Sequence, residues 1–514
     1  MAERDQLKVT GSWLTALAAL VHPRAVTMLF LGFSAGIPIL LIFSTLSVWL
    51  REAGVERATV TFFSWAALGY SFKFVWAPLI DRLPLPDLIY RLGRRRSWLL
   101  VSQFAIVIAI FWTSSFDPET TVVMTAVGAV LIGFSSATQD IVIDAYRIES
   151  AKKEMQSMLS AMYIAGYRVG MLVAGAGGLW LADYWGGDHY DYAVWANVYR
   201  VMALMMLVGI ATTLIIREPY RKPADTAFRN TSDYLRFLLL FLFSVTAFGL
   251  AFVVSSGAGQ WVKLSLINDF GMMGRLAGFL VEALRLALAI FFSAMTALVL
   301  VRVDLVSRAH VRETYVEPVA DFFRRYGHSA IIVIALIGTY RIADIVMGVI
   351  ANVFYLDMGF TKTQIAMYSK FWGLLATIGG GLLGGILSVR YGVNRTMFLG
   401  ALLAAATNLL FAYLATQAPE AMLLLWVIVA DNASAGLATA AFVAYLSSLT
   451  SISFTAMQYA IFSSVMTLVP KILAGYSGTV VDSAGYVVFF VGTAILGIPV
   501  LFLVIWAGRL SRRN

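Results

Sequence analysis

The stretch "GFSSATQDIVIDAYR" (133–147) places Gln139, Asp140 and Asp144 within one and a half helical turns of otherwise apolar chain. A charge near the centre of a bilayer costs roughly 2.5–3.5 kcal/mol on insertion scales. Two carboxylates there need partners, water or a task. Gly133, Ala137, Asp140, Asp144 and Arg147 recur at helical spacing, so they share one face. The small pair allows a second helix to approach closely. By helix rise, Asp140 lies about 10 Å inside the helix end, whereas Asp144 sits near the interface, within reach of Arg147. The spacing therefore separates two kinds of chemistry. Asp144 is expected to join Asp81, Arg82 and Arg147 in a charged latch at the helix ends. Asp140, with Gln139 on the adjoining face, is a candidate for carrying a proton, and pairing with Lys73 is its structural alternative.

Other charges fall in equally apolar surroundings. Arg341 and Asp344 are three apart and face the same way. They form either a self-neutralising pair or a proton site at Asp344. Asp431 has no cation within a turn, which suits reversible protonation or a hydrogen bond to a neighbouring helix. Lys73, Arg168, Lys370 and Lys471 leave an excess of cations over acids at mid-depth, which an anionic substrate would balance, though snorkelling lysines are the plainer reading. The expected proton-coupling residues are Asp140, Asp344 and Asp431. The expected substrate-binding residues are Ser34, Tyr70, Lys73, Gln139, Tyr167, Arg168, Arg341, Lys370, Asn432, Gln458 and Tyr459, with fewer than half of the aromatic and amide groups touching ligand.

The elements that must position these groups follow from composition. Of 514 residues, 60% are hydrophobic and 13% charged, about half the charge of an average soluble chain. The apolar residues come in runs of about 20, long enough to cross a bilayer as helices. The chain is expected to be an all-α polytopic membrane protein with fourteen spans. There is no cysteine, and the four histidines lie far apart, so neither disulfides, thiolate chemistry nor a histidine metal cluster is expected, and no cofactor. Roughly 25 Lys and Arg fall in the loops of one side against about five on the other. That asymmetry assigns the basic side to the cytoplasm, with both termini inside. It also explains the net charge of +9 without nucleic acid. Segment 12–22 reads as an interfacial helix, and "VEPVADFFRRYG" in the basic loop 302–328 as a helix in the headgroup plane or a plain linker.

Internal similarity runs along the chain. "GYSFKFVW" (69–76) resembles "MYSKFWG" (367–373), "DAYRIE" (144–149) resembles "VAYLSS" (443–448), and "AGAGG" (174–178) resembles "AGYSG" (474–478), each at a shift near 299. Six spans recur as a later six in the same orientation, with two additional spans between. Paired six-helix halves are the layout of the major facilitator transporters, whose substrate sites lie between halves near the midplane. "APLIDR" with "LGRRR" resembles that superfamily's Gly-x-x-x-Asp-Arg-x-Gly-Arg-Arg loop, with Ala77 in place of the glycine and about ten residues inserted. "GILSVRYGVNR" resembles it in the second half, with Val389 in place of the acid.

Residues 30–147 resemble the AmpG muropeptide permeases through "LGFSAGIPILLIFSTLSVWLREAG", "KFVWAPLIDR", "LGRRRSW" and above all "SATQDIVIDAYR"; "YSGTVVDSAGY" extends the resemblance toward the C-terminus. The resemblance implies a multi-pass protein of the bacterial inner membrane and no enzyme. It implies import of N-acetylglucosaminyl-1,6-anhydro-N-acetylmuramyl peptides for wall recycling, driven by protons; a monomer is expected. Another anionic metabolite, such as a coenzyme A derivative or a siderophore, is the alternative substrate. The expected organisation is an N-terminal segment (1–24), a six-helix bundle (25–217), two additional helices (218–301), a linker (302–328), a second bundle (329–508) and a tail (509–514).

Overall fold

A computed structural model describes residues 13–56, 63, 70, 72–82, 91–187, 189–219, 231–272, 274–474 and 477–510. These residues form helices and their connections, with no strand among them. In chain order the main helices are α1 (Pro23–Ile42), α2 (Ala77–Arg82), α3 (Arg94–Thr113), α4 (Pro118–Ser150), α5 (Gln156–Leu172), α6 (Tyr192–Met205), α7 (Leu207–Ile215), α8 (Thr231–Asn268) and α9 (Gly274–Arg302). There follow α10 (Glu317–Tyr326), α11 (Ser329–Thr339), α12 (Ile342–Asp357), α13 (Gly373–Tyr391), α14 (Val393–Leu414), α15 (Ala421–Leu449), α16 (Thr455–Ala474) and α17 (Ser477–Leu510).

Local chemistry starts several of them. Proline opens α1 and α4, where its missing N–H costs nothing, and the preceding His22 and Asp117 accept from the backbone N–H of Arg24 and Glu119. Helix α3 is capped from far along the chain. Both Glu218 carboxylate oxygens accept, from the N–H of Arg95 at 2.8 Å and of Arg96 at 3.0 Å. Anionic oxygens on free N-terminal amides are favourable through hydrogen bonding and the helix dipole.

Twelve helical stretches among the described residues are long and apolar enough to cross a membrane. The spans expected over 57–80 and 276–301 are not among them. The first lies largely outside the described residues. The second is helical as part of α9, whose described residues give only the shorter apolar stretch Ala287–Arg302.

The chain divides into two compact units, Met1–Lys222 with Phe322–Asn514, and Pro223–Asp321. The first unit holds two separate apolar cores. One is built from residues between Ile37 and Met206 and the other from residues between Phe322 and Ala507. Both groups of helices use the same close-packing device. A Cβ on Gly166 of α5 would stand 1.9 Å from the Leu29 carbonyl of α1, and one on Gly380 of α13 would stand 2.0 Å from the Ala433 carbonyl of α15. Only glycine allows the two backbones to meet there.

The N-terminal segment packs on protein. In the short helix Trp13–Ala18 and the turn after it, Ala16 and Ala19 are buried, and the Trp13 ring lies edge-on to Tyr391 with the Arg390 guanidinium 5.8 Å away. The end of α10 is also anchored. Phe322 packs against Phe462 at 5.2 Å, and Arg325 donates to the Leu449 carbonyl and the Gln458 side chain. In the second unit, Arg285 of α9 donates to Phe252 O and Ser255 Oγ of α8. Glu282 lies three residues before Arg285 in the sequence, at a spacing that would let the two charges neutralise each other, but its side chain is outside the described residues.

Candidate functional site

Four charges converge on α4. Lys73 Nζ donates to Asp140 Oδ2 at 2.5 Å and lies 3.7 Å from Asp144 Oδ2. Tyr163 of α5 donates to the other Asp140 oxygen at 2.6 Å. Asp144 also accepts from Arg147 Nη2 at 3.1 Å. Lys73, Asp144 and Arg147 are buried. Two cations and two carboxylates neutralise one another, which is what allows this cluster in an apolar interior. Asp140 and Asp144 therefore share Lys73, where the sequence had separated their roles.

The cluster leads into a seal between the two helix groups. Arg147 Nη1 donates to Ser160 at 3.0 Å and to Ser447 of α15 at 2.7 Å, and its guanidinium sits 5.1 Å from the Tyr459 ring centre of α16. A second crossing is made by Asp81. One oxygen accepts from Arg95 Nη2 at 2.8 Å and the other from the backbone N–H of Met457 in the first turn of α16, at 3.1 Å. Arg95 in turn donates to Glu149 at 2.6 Å. The expected latch is thus two clusters among the described residues, Asp81–Arg95–Glu149 and Asp144–Arg147–Ser447, with Arg95 as a cation that holds the Asp81 carboxylate. The Arg82 side chain lies outside the described residues.

A third group is formed by residues of α5, α12 and α15 and by the junction of α11 with α12. Arg341 occupies a break between α11 and α12, with φ −99° and ψ 15°. Its Nε donates to Asp344 Oδ2 at 3.1 Å and its Nη2 to the same oxygen. Asp344 stands in the first turn of α12, where a carboxylate is favoured. Arg168 of α5, on the other helix group, lies within electrostatic reach of both Arg341 and Asp344. Asp431 accepts from Thr407 at 3.1 Å, and Asn432 accepts from Thr377 at 3.1 Å. Arg168, Arg341, Asp344 and Asp431 are all partly exposed. Exposed charges and a broken helix at membrane depth are tolerated where they line water. The group can therefore take up an anionic ligand or exchange a proton.

Several expected binding residues are placed elsewhere. Ser34 and Gln139 are fully buried and bonded to each other at 2.9 Å. Gln458 and Tyr459 are buried in the seal, where Gln458 accepts from Ser451 N and Arg325 and Tyr459 lies under Arg147. These four are committed to packing, and a ligand reaches none of them in this conformation. Tyr70 bonds Ser136 at 2.5 Å and Tyr167 packs on Tyr163 with centroids 6.0 Å apart. The Lys370 side chain lies outside the described residues. Lys471 is exposed.

The family model of the Major Facilitator Superfamily matches residues 25–312. That is more than half of the chain. The chain belongs to the Major Facilitator Superfamily. Among relatives, the anhydromuropeptide permease of Escherichia coli is 28% identical over 94% of this chain and 79% of its own length. The transporter designated AmpG 4 of Rickettsia conorii is 28% identical over 94% of this chain and 96% of its own, and an uncharacterised protein of Haemophilus influenzae is 30% identical over 94% of each. The AmpG-type resemblance read from the motifs is thus met along nearly the whole chain. Solved structures share the fold. The proton:xylose symporter XylE has a TM-score of 0.57 at 12% identity over 96% of each chain, and the Escherichia coli fucose:proton symporter 0.57 at 10% over 94% and 97%. Fold, family and charge placement together make this chain a transporter and not an enzyme.

Three participants escape a reading of single helices. Glu218 lies 123 residues from the amide it caps, and nothing local marks it. Glu149 sits in the quoted "DAYRIE" string but meets Arg95 only in three dimensions. The break before Arg341 has no proline or glycine at 340–341 to announce it.

Proposed function

We propose that this transporter imports N-acetylglucosaminyl-1,6-anhydro-N-acetylmuramyl peptides from periplasm to cytoplasm, driven by protons, through alternating access of two six-helix halves. The observation that carries this reading is that Arg168 and Arg341, one from each helix group, both lie within electrostatic reach of the Asp344 carboxylate, which Arg341 holds directly. Asp431 lies within electrostatic reach of Asp344, so with a proton on Asp431 the group keeps one positive charge, and a carboxylate on the substrate peptide completes the balance. The similarity to the anhydromuropeptide permease of Escherichia coli supports the substrate class.

Coupling follows from the α4 cluster. Substrate and proton enter from the side away from the seal. A proton on Asp140 cancels its charge and weakens its hold on Lys73. Lys73 then turns to Asp144, already 3.7 Å away. Asp144 is drawn from Arg147, and the Arg147–Ser447 and Arg147–Tyr459 contacts loosen. The halves rock, the substrate leaves on the basic-loop side, and loss of the proton restores the seal. Asp344 and Asp431 hold the charge balance of the binding region while this happens.

Uptake of labelled anhydro-muropeptide into right-side-out vesicles tests the reading. Uptake is expected to collapse when the proton gradient is dissipated. Undiminished uptake without a gradient would reject the coupling, and accumulation of a different anion in preference to the muropeptide would reject the substrate.

A further inference from the structure

The unit formed by residues 223–321 carries a site that the proposed transport cycle does not use. A cavity of about 390 Å³ opens between the start of α8 and the turn after α9, and its polar lining is Arg236, Asp304, Ser307 and Arg308. Neither arginine has a hydrogen-bond or ion-pair partner among the described residues, and both are exposed. Asp304 holds φ 55°, a conformation that residues other than glycine seldom adopt. The turn it makes is tied to the end of α9 by Leu305 N donating to Leu300 O at 3.1 Å. The residues after it are thereby brought back beside Arg236.

The surroundings are apolar. On α8, Leu239 and Phe243 follow Arg236 at helical spacing on one face, and both are exposed. On α9, Met295 and Leu298 approach the same end and are exposed. Two guanidiniums and one carboxylate thus stand at the mouth of an oily surface, on the side that the loop charges assign to the cytoplasm. Two arginines suit a phosphate. The lone carboxylate beside them suits a primary ammonium, which it can accept from.

We infer that this cavity binds the headgroup of a phospholipid bearing both a phosphodiester and a primary ammonium, with its acyl chains along Leu239 and Phe243. Arg236 and Arg308 hold the phosphate. Asp304 accepts from the ammonium and disfavours headgroups that lack one.

Native mass spectrometry of the full chain, titrated with phosphatidylethanolamine, phosphatidylglycerol and phosphatidylcholine of matched acyl chains, tests the assignment. The ethanolamine lipid is expected to bind tightest. Two lost contacts worth about five-fold each should weaken it about 25-fold in the Arg236→Gln/Arg308→Gln double variant, with Arg236→Lys/Arg308→Lys retaining most of the affinity. Asp304→Asn should bring the ethanolamine and glycerol lipids to equal affinity. Equal binding of all three lipids by the native chain, or unchanged binding by the double Gln variant, would overturn the site. Free glycerophosphoethanolamine is expected to compete poorly. Competition as strong as that of the lipid would assign the cavity to a soluble phosphoester and overturn the lipid.

Discussion

Arg147 Nη1 donates to Ser447 Oγ across 2.7 Å, joining the ends of two helices 300 residues apart in the chain. The two residues lie in the similar strings "DAYRIE" and "VAYLSS", where the shift of 299 matches Arg147 to Leu446, so Ser447 stands one residue beyond the matching position. The guanidinium is fully buried, so each bond it makes is strengthened by the low local dielectric.

Removing the hydroxyl should bias the seal toward opening. A hydrogen bond to a charged group is worth about 1.5–3 kcal/mol, so Ser447→Ala should shift the equilibrium by about ten-fold or more. The chain has no cysteine, which permits a clean reporter. Ala161 is buried at the crossing of α5 and α13, where a Cβ on Gly385 would stand 2.9 Å from its Cβ. A cysteine placed at 161 should react faster with a thiol reagent from the sealed side in the Ser447→Ala background. Equal labelling rates would show that the bond does not hold the seal.

Asp140→Asn should cost stability and transport together. It leaves Lys73 buried with only the more distant Asp144, and breaking a buried ion pair typically costs about 3–5 kcal/mol. Adding Lys73→Met removes the stranded charge, so thermal unfolding of the double variant should return toward native while uptake stays absent. Recovery of uptake along with stability would mean that Asp140 does no more than neutralise Lys73.

Glu218 gives a pH signature outside the membrane spans. Its carboxyl is raised above the usual range, by burial first and by nearby Glu149 in a smaller part, against the opposing pull of the Arg95 and Arg96 amides. A raised folded-state value means that the protonated form is favoured by folding. Its relative stabilisation is full at acid pH and is lost as pH rises through the raised value. The unfolding temperature of the native chain relative to Glu218→Gln should therefore rise as pH falls from neutral. A difference independent of pH would remove Glu218 from the account.

Gly166→Val should separate α1 from α5. Its Cβ would meet the Leu29 carbonyl, which is backbone and cannot swing aside. Overpacking costs about 1–3 kcal/mol or more, whereas Gly249→Val, with nothing within 4 Å of the added Cβ, should leave the unfolding temperature within a degree or two. Similar losses in both variants would point to a general intolerance of valine.

The class, the family and the principal charges were legible because lipid makes composition and charge informative. Apolar runs mark helices, and a carboxylate such as Asp140 among them stands out. The split between Asp140 and Asp144 was too sharp, since helix rise gives depth but not that Lys73 reaches both. Ser34, Gln139, Gln458 and Tyr459 carry the right groups for sugar recognition, yet packing uses each of them, and which face of a helix is covered is a tertiary property. The Asp81–Arg95 pair was half visible in the loop pattern. Its contact with the Met457 amide was not, because it depends on where the start of α16 comes to rest.

Equilibrium binding of anhydro-muropeptide with free carboxylates, against the same molecule with its peptide carboxylates amidated, tests the central claim most directly. The claim is that Arg168 and Arg341 hold the anionic end of the cargo between the halves. The native chain is expected to prefer the free acid by about ten-fold or more, as for a charge-assisted contact, and Arg168→Gln and Arg341→Gln should each abolish that preference while still binding the amide. Equal affinity of the native chain for acid and amide would contradict the account.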